Sequence, residues 1–271
     1  MRKRNSFIFF IFFLSASLFG QIQRFSLSIN GGGSYTLINN KIPECISKGK
    51  IGYNTDLQFN FALTHTLGVA TGIGYAKYSA ALSLDNYYSA NPATDSEGDN
   101  YEYRLYGKNL KENQTIDVIE IPILLIFQNQ ERKKFKTYLQ LGVKTLLPIR
   151  SRFECTSGDI ESRGYYSKYN VELSNLPSHG FDKISLSGLD GNILTQIGYA
   201  ATIEYGANIS VGKPFVKIAL FGCYGISNIC QSRNLLSTEF VYQSLSSVSN
   251  GVTPLSIGVK LGLMFPFESK K

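Results

Sequence analysis

Along residues 254–267 apolar and polar side chains alternate almost without interruption. Leu255, Ile257, Val259, Leu261, Leu263, Phe265 and Phe267 fall on one face, against Ser256, Gly258, Lys260 and Gly262, until Met264 and Pro266 end the polar side. Successive side chains of a strand point to opposite faces, so this period of two predicts one strand with a greasy face and a polar face. About ten residues are enough for a tilted strand to cross a bilayer, and this stretch exceeds that.

Seven earlier stretches follow the same rule: 24–37, 50–63, 67–78, 116–127, 138–149, 193–205 and 215–226. In the first, Phe25, Leu27 and Ile29 oppose Ser26, Ser28 and Asn30; in the second, Ile51, Tyr53 and Leu57 oppose Asn54, Asp56 and Gln58. The third sets Val69, Ile73 and Tyr75 against Ala70, Gly72 and Gly74, whose small size lets a narrow barrel close. Pro122 lacks an N–H, so the fourth strand is expected to have a bulge or an unpaired position there. Gly31-Gly32-Gly33 lies inside a strand with no helix after it, which points to close packing at the wall rather than to a phosphate loop.

The connections alternate in length. Short links are expected at 64–66, 128–136 and 206–214, and long polar loops at 38–49, 79–115, 151–192 and 227–252, the last group exposed and variable in conformation. This is the habit of outer-membrane barrels, with short turns and both chain ends in the periplasm. The fold class is therefore all-β: an antiparallel up-and-down transmembrane β-barrel of eight strands. Residues 101–106 could extend strands above the membrane or add a pair, leaving room for ten.

Residues 1–20 carry a basic start (Arg2, Lys3, Arg4), an apolar run to Phe19 and small residues up to Gly20, the layout of a cleaved export signal. Residues 21–271 then form one barrel domain. Past Gly20 no apolar run is long enough for a membrane helix, so a membrane-resident chain must close a barrel. Losing the three basic residues with the leader lowers the formal charge from +7 to +4, with no basic patch arranged for nucleic acid. Aromatic content is 13%, all Phe and Tyr, which suits interfacial belts.

With polar faces inward, charges meet in a narrow lumen. Glu120 and Lys144 lie at matching distances from the turn between their strands, and Glu204 and Lys217 flank the next turn in the same way. Asp56, Lys50 and Lys260 are further inward candidates. Such a set is expected to act as an ion-pair plug, because an eight-stranded barrel is filled by its own side chains. Cys45, Cys155, Cys223 and Cys230 could form up to two disulfides in an oxidising compartment. Their spacing does not suit zinc, and no cofactor or metal motif occurs. The two histidines, His65 and His179, fall in a tight turn and a long loop, away from an evident nucleophile, so no catalytic residue is assigned.

The segment Ile119-Glu120-Ile121-Pro122-Ile123-Leu124-Leu125 resembles the Leu-Glu-Ile-Pro-Leu strand motif of small outer-membrane barrels widespread in Bacteroidota, including PorT-like proteins of the OmpA-type eight-stranded kind. The resemblance continues in 138–142 and in 258–263. It implies an eight-stranded barrel inserted by the outer-membrane assembly machinery, no enzyme activity, and for PorT-like members a link to protein secretion and gliding. Such barrels often finish on an aromatic residue, whereas four residues follow Phe267 here.

The reading is a non-enzymatic outer-membrane barrel with a side-chain-filled lumen and long extracellular loops. Its expected partners are outer-membrane lipid, the assembly machinery and proteins met through the loops. Two alternatives stand beside it: a soluble lipocalin-like carrier with its apolar face inside, and an outer-membrane lipid hydrolase or acyltransferase.

Overall fold

A computed structural model describes residues 24–129, 134–232, 235 and 242–268. The expected leader at 1–20 lies outside the described residues. Eight long strands carry the fold: β1 (Arg24–Asn40), β2 (Ile46–Ala62), β3 (Leu67–Thr94), β4 (Asn100–Gln128), β5 (Phe135–Tyr166), β9 (Gly198–Ser210), β10 (Phe215–Gly225) and β11 (Val252–Glu268). Three short strands, β6 (Val171–Leu173), β7 (Lys183–Ser185) and β8 (Asp190–Asn192), pair with the upper part of β5. Each long strand is antiparallel to its neighbours, β4 pairs with β5, and β11 returns to β1, so the sheet closes into a ring.

The ring has two storeys with opposite polarity. In the lower one the apolar faces point outward: Ile29, Ile123, Leu220 and Leu261 are 55%, 67%, 63% and 58% exposed, while Ser28, Gln58, Glu120, Gln140 and Lys217 are buried inside. From Phe25 to Tyr35 the chain rises roughly 33 Å along the strand, and a tilt of about 40° turns that into a band roughly 25 Å tall. Phe25 packs on Phe59, Phe61 and Phe267 at the turn end, and Tyr53 on Tyr75 at the other. An apolar exterior over a polar interior is the reverse of a lipocalin, and it removes the soluble-carrier alternative.

Above this band β3, β4 and β5 continue, and the polarity inverts. On β3 the inward positions Gly72, Gly74 and Ala76 give way to Tyr78, Ala80, Leu82 and Leu84, while the outward ones change from Ile73 and Tyr75 to Lys77, Ser83 and Asp85. Here water is outside and an ordinary apolar core is inside. Leu82, Leu110, Phe153, Ile160, Leu186 and Leu245 belong to that core.

This corrects the expected long loops. Residues 79–115 are not a mobile loop: β3 and β4 pair from Leu67↔Phe127 up to Thr94↔Asn100, leaving a turn of 95–99. Residues 151–192 continue β5 to Tyr166, and the rest folds back against it. The loop expected at 38–49 shrinks to 41–45, because β1 and β2 are longer than their greasy faces. The sixth long strand starts at Gly198, not 193, and runs to Ser210, which tightens its turn to 211–214. Residues 101–106 extend β4, so the ring stays at eight strands.

Two local details follow from residue chemistry. Pro122 pairs with Lys144 on the β5 side, but on the β3 side the ladder skips from Thr71↔Ile123 to Gly74↔Glu120, and the Thr71 hydroxyl donates to the Pro122 carbonyl at 2.9 Å. A Cβ on Gly32 would stand 2.5 Å from the Val259 carbonyl and 2.8 Å from Asn54 Oδ1, so only glycine fits where β1 meets β11.

Candidate functional site

Alternation along the strands brings three carboxylates and three ammonium groups together in the lower storey. Lys144 Nζ lies 2.6 Å from Glu120 Oε2, and the Tyr78 hydroxyl donates to Glu120 Oε1 at 3.0 Å. Glu204 is held by Lys217 and Lys260, each at 2.8 Å, and by the Tyr138 hydroxyl at 2.8 Å. Lys260 also reaches Asp56 at 2.9 Å, and Asp56 accepts from the Asn30 amide. Lys217 donates to Gln58, which in turn donates to Gln140. Formal charges cancel, as burial in so confined a space demands. The void beside these groups is about 20 Å³, room for about one water molecule. Six of the charged residues singled out from the sequence therefore sit together: Asp56, Glu120, Lys144, Glu204, Lys217 and Lys260. Lys50 does not join them. It is half-buried, and its amine is 2.7 Å from Asn113 Oδ1, above the band, because a bulge between Gly49 and Tyr53 breaks the alternation of β2.

A second polar centre lies in the upper storey. Glu112 on β4 is buried, and it has no basic partner among the described residues. Its Oε1 accepts from Ser244 Oγ at 2.8 Å, from the Leu245 N–H at 3.0 Å and from the Gln114 amide; its Oε2 accepts from the Tyr242 hydroxyl at 2.9 Å. Ser246 Oγ lies 2.7 Å from Gln114 Oε1 and 3.0 Å from Asn40 Oδ1, so its one proton is shared between the two amide oxygens. These bonds pin the segment 242–248, between β10 and β11, into the mouth of the ring. Burial raises the Glu112 pKa above the usual carboxylate value in spite of the four donors. Ser244 holds a positive φ of 135°, a conformation the surrounding bonds must maintain.

Glu112, Gln114, Tyr242 and Ser244 lie within 79–115 and 227–252, the stretches whose composition predicts loops, so the strand pattern does not single them out. The signal was present in β4, where Leu110, Glu112, Gln114 and Ile116 keep the period of two. Tyr78 and Tyr138, the phenols of the lower network, fall at the ends of predicted strands, where the alternation gives them no distinct role.

Cys45, Cys155, Cys223 and Cys230, expected to form up to two disulfides, are free thiols in the structure. Cys223 lies in the lumen with its Sγ 3.7 Å from the Tyr78 hydroxyl, while Cys155 and Cys230 are packed in the upper core and Cys45 lies against it. Burial, helped by the nearby Glu112 charge, pushes Cys45 up to about 11 and Cys155 and Cys230 up to about 12.

The histidines are exposed. His65 occupies the tight turn between β2 and β3. His179 ends a 3-10 turn at Pro177–His179, with Nδ1 3.0 Å from Ser178 Oγ, and no carboxylate holds the ring among the described residues.

A family model described as outer membrane protein beta-barrel domain matches residues 16–231. The chain belongs to that family. It is a protein of the outer membrane, and the apolar band is its lipid-facing surface. Solved structures resembling it include Ail of Yersinia pestis in complex with the heparin analogue sucrose octasulfate (10% identity, TM-score 0.34, 90% of this chain and 100% of that one). Neisserial surface protein A matches at 10% identity and TM-score 0.35, over 89% of this chain and 97% of that one. OprG from Pseudomonas aeruginosa matches at 12% identity and TM-score 0.38, over 90% and 96%. No curated protein matches.

Proposed function

We propose that this barrel is a non-enzymatic anchor that carries a rigid β-structured platform outside the cell for a protein partner. One observation carries the reading: the wall formed by β3, β4 and β5 stands on its own apolar core above the membrane, over a lumen closed by ion pairs. A channel needs a path through the barrel. A platform needs stiffness, and paired strands provide it where loops would not. Near the top, Tyr88 packs on Tyr106 at 5.2 Å, Arg163 lies 4.9 Å over Tyr106, and Arg104 lies 3.9 Å over Tyr165. Glu172 is shared by Arg104 and Arg163 at 3.1 and 3.0 Å. Tyrosine and arginine held in fixed rotamers are the residues that dominate protein contacts. The likeness of 119–125 to PorT-like strands supports a secretion-related partner in the envelope. Insertion by the outer-membrane assembly machinery belongs to the same reading.

The test places a photocrosslinking amino acid at Tyr88 in intact cells and records conductance of the purified protein in planar bilayers. A discrete crosslinked protein, lost in Tyr106→Ala/Arg163→Ala with folding retained, together with a silent bilayer, supports the platform. Stepwise ion currents with no adduct would replace it with a channel.

A further inference from the structure

On the outer wall, immediately above the apolar band, the outward side chains of four adjacent strands frame a groove of about 420 Å³. Lys77 comes from β3, Asn113, Thr115 and Asp117 from β4, Arg150, Arg152 and Glu154 from β5, and Asp190 from β8. Its height is fixed by its neighbours in the chain. Lys77 lies two residues past the outward Tyr75, Asp117 two before the outward Ile119, and Arg150 directly after Ile149, which is 56% exposed. The register shift between Asp117 and Val118 matters here. Below it Pro148 pairs with Val118, above it Arg150 pairs with Asp117, and the change of phase turns Arg150 and Arg152 outward.

The charges in the groove are layered. Lys77 and Arg150 flank Asp117 in the strand register at the bottom, Arg152 stands one step higher, and Glu154 and Asp190 face each other at the upper rim. The side chains of Lys77, Arg150 and Arg152 make no hydrogen bond or ion pair among the described residues. Asp117 is buried on the floor beside the Tyr75 phenol, which hydrogen-bonds to it. One carboxylate at the bottom of the groove faces three cations that have no protein partner among the described residues, so the floor carries an excess of positive charge that an anion can meet.

We infer that this groove binds the head group of a phosphorylated glycolipid in the outer leaflet, with its phosphate among Lys77, Arg150 and Arg152. At this height the phosphate of a lipid whose acyl chains lie against the apolar band meets the guanidinium forks, which suit its planar pairs of oxygens. Sugar hydroxyls donate to Glu154 and Asp190 at the rim. The carboxylates are therefore part of the recognition: they would repel a bare phosphate and tolerate a phosphate carrying donor groups. The inference rests on the membrane placement of the band and is independent of any protein partner.

The full chain, folded in detergent, is offered diphosphorylated lipid A, the same lipid with its phosphates removed, or phosphatidylcholine, and bound lipid is counted by native mass spectrometry. The phosphorylated lipid is expected to be retained on the order of tenfold more than the other two. That preference disappears in Lys77→Gln/Arg150→Gln/Arg152→Gln and survives in Lys108→Gln/Lys168→Gln/Lys183→Gln, which removes the same charge elsewhere on the outer wall. Heat-modifiable mobility on gels shows that each variant is folded; if the first triple fails to fold, wild-type preference for the phosphorylated over the dephosphorylated lipid decides the matter. Equal retention of the lipids by wild type overturns the inference. So does unchanged preference in the groove variant. Displacement of the lipid by millimolar inorganic phosphate would reduce the groove to a general anion site and overturn the glycolipid assignment.

Discussion

Lys260 on β11 bridges Asp56 on β2 and Glu204 on β9, at 2.9 and 2.8 Å, and so links strands that are not neighbours in the ring. Glu204 also holds Lys217 at 2.8 Å, which makes it the most heavily used group in the lumen. Replacing it with Gln leaves two buried ammonium groups with Asp56 as their only carboxylate. Breaking a buried pair by removing one partner costs about 3–5 kcal/mol, so Glu204→Gln should shift the urea midpoint of the lipid-refolded barrel sharply downward. The chain has no Trp, so the transition is read by far-UV circular dichroism or by heat-modifiable mobility. An unchanged midpoint would mean that the network contributes nothing to stability.

Glu120 and Lys144 permit a cleaner measurement, because Lys144 has one carboxylate partner at 2.6 Å. Glu120→Gln and Lys144→Met should each destabilise the barrel. The double variant should be less impaired than the sum of the two by about 1–3 kcal/mol, since it strands no charge. Additive losses in a double-mutant cycle would show that the two groups are not coupled.

How far the sequence could be read depended on which solvent each strand face met. In the lower storey, lipid outside and a polar lumen inside gave the clean alternation of 254–267, and all eight strands were found from it. On β3 the alternation continues past Lys77, but its sense inverts: Tyr78, Leu82 and Leu84 turn inward where Gly72 and Gly74 had been. A greasy face of constant phase ends at that point, so the pattern predicts loops for the upper halves of β3, β4 and β5. The register shift between Asp117 and Val118 hid the same continuity on the β4–β5 pair. The lumenal charges were legible because strand pairing near short turns is nearly forced by geometry. Glu112 was not, because its partners Ser244 and Leu245 are more than 130 positions away along the chain.

Glu112 should make the cap sensitive to pH. Its folded-state pKa is raised by burial, so the closed cap prefers the protonated acid. The sign follows from linkage. A carboxylic acid with a raised folded pKa stabilises the closed form fully below its unfolded value, near 4.5, and that stabilisation is lost as pH rises through the folded value. Cys155, pushed up to about 12, stays neutral across this window, as does Tyr242, raised by burial. Hydrogen exchange of 242–252, corrected for intrinsic rates, should therefore show more opening at pH 8 than at pH 5. Glu112→Gln should remove the difference. Equal protection at the two pH values in wild type would sink this expectation.

The inversion of polarity makes two equally exposed apolar residues respond differently to the same change. Leu261 is 58% exposed on β11 within the apolar band, and Ile46 is 56% exposed on β2 beside Ser83, above it. A charge placed against lipid near mid-membrane costs about 2–4 kcal/mol, whereas one facing water costs little. Leu261→Arg should accordingly lose about that much folding stability in bilayers, and Ile46→Arg should stay within about 0.5 kcal/mol of wild type. Transferring both variants from lipid to a zwitterionic detergent with a thinner apolar belt should narrow the gap by easing Leu261→Arg alone. If the two substitutions cost the same in bilayers, the boundary between the storeys has been drawn at the wrong height, because Ile46 would then face hydrocarbon as well.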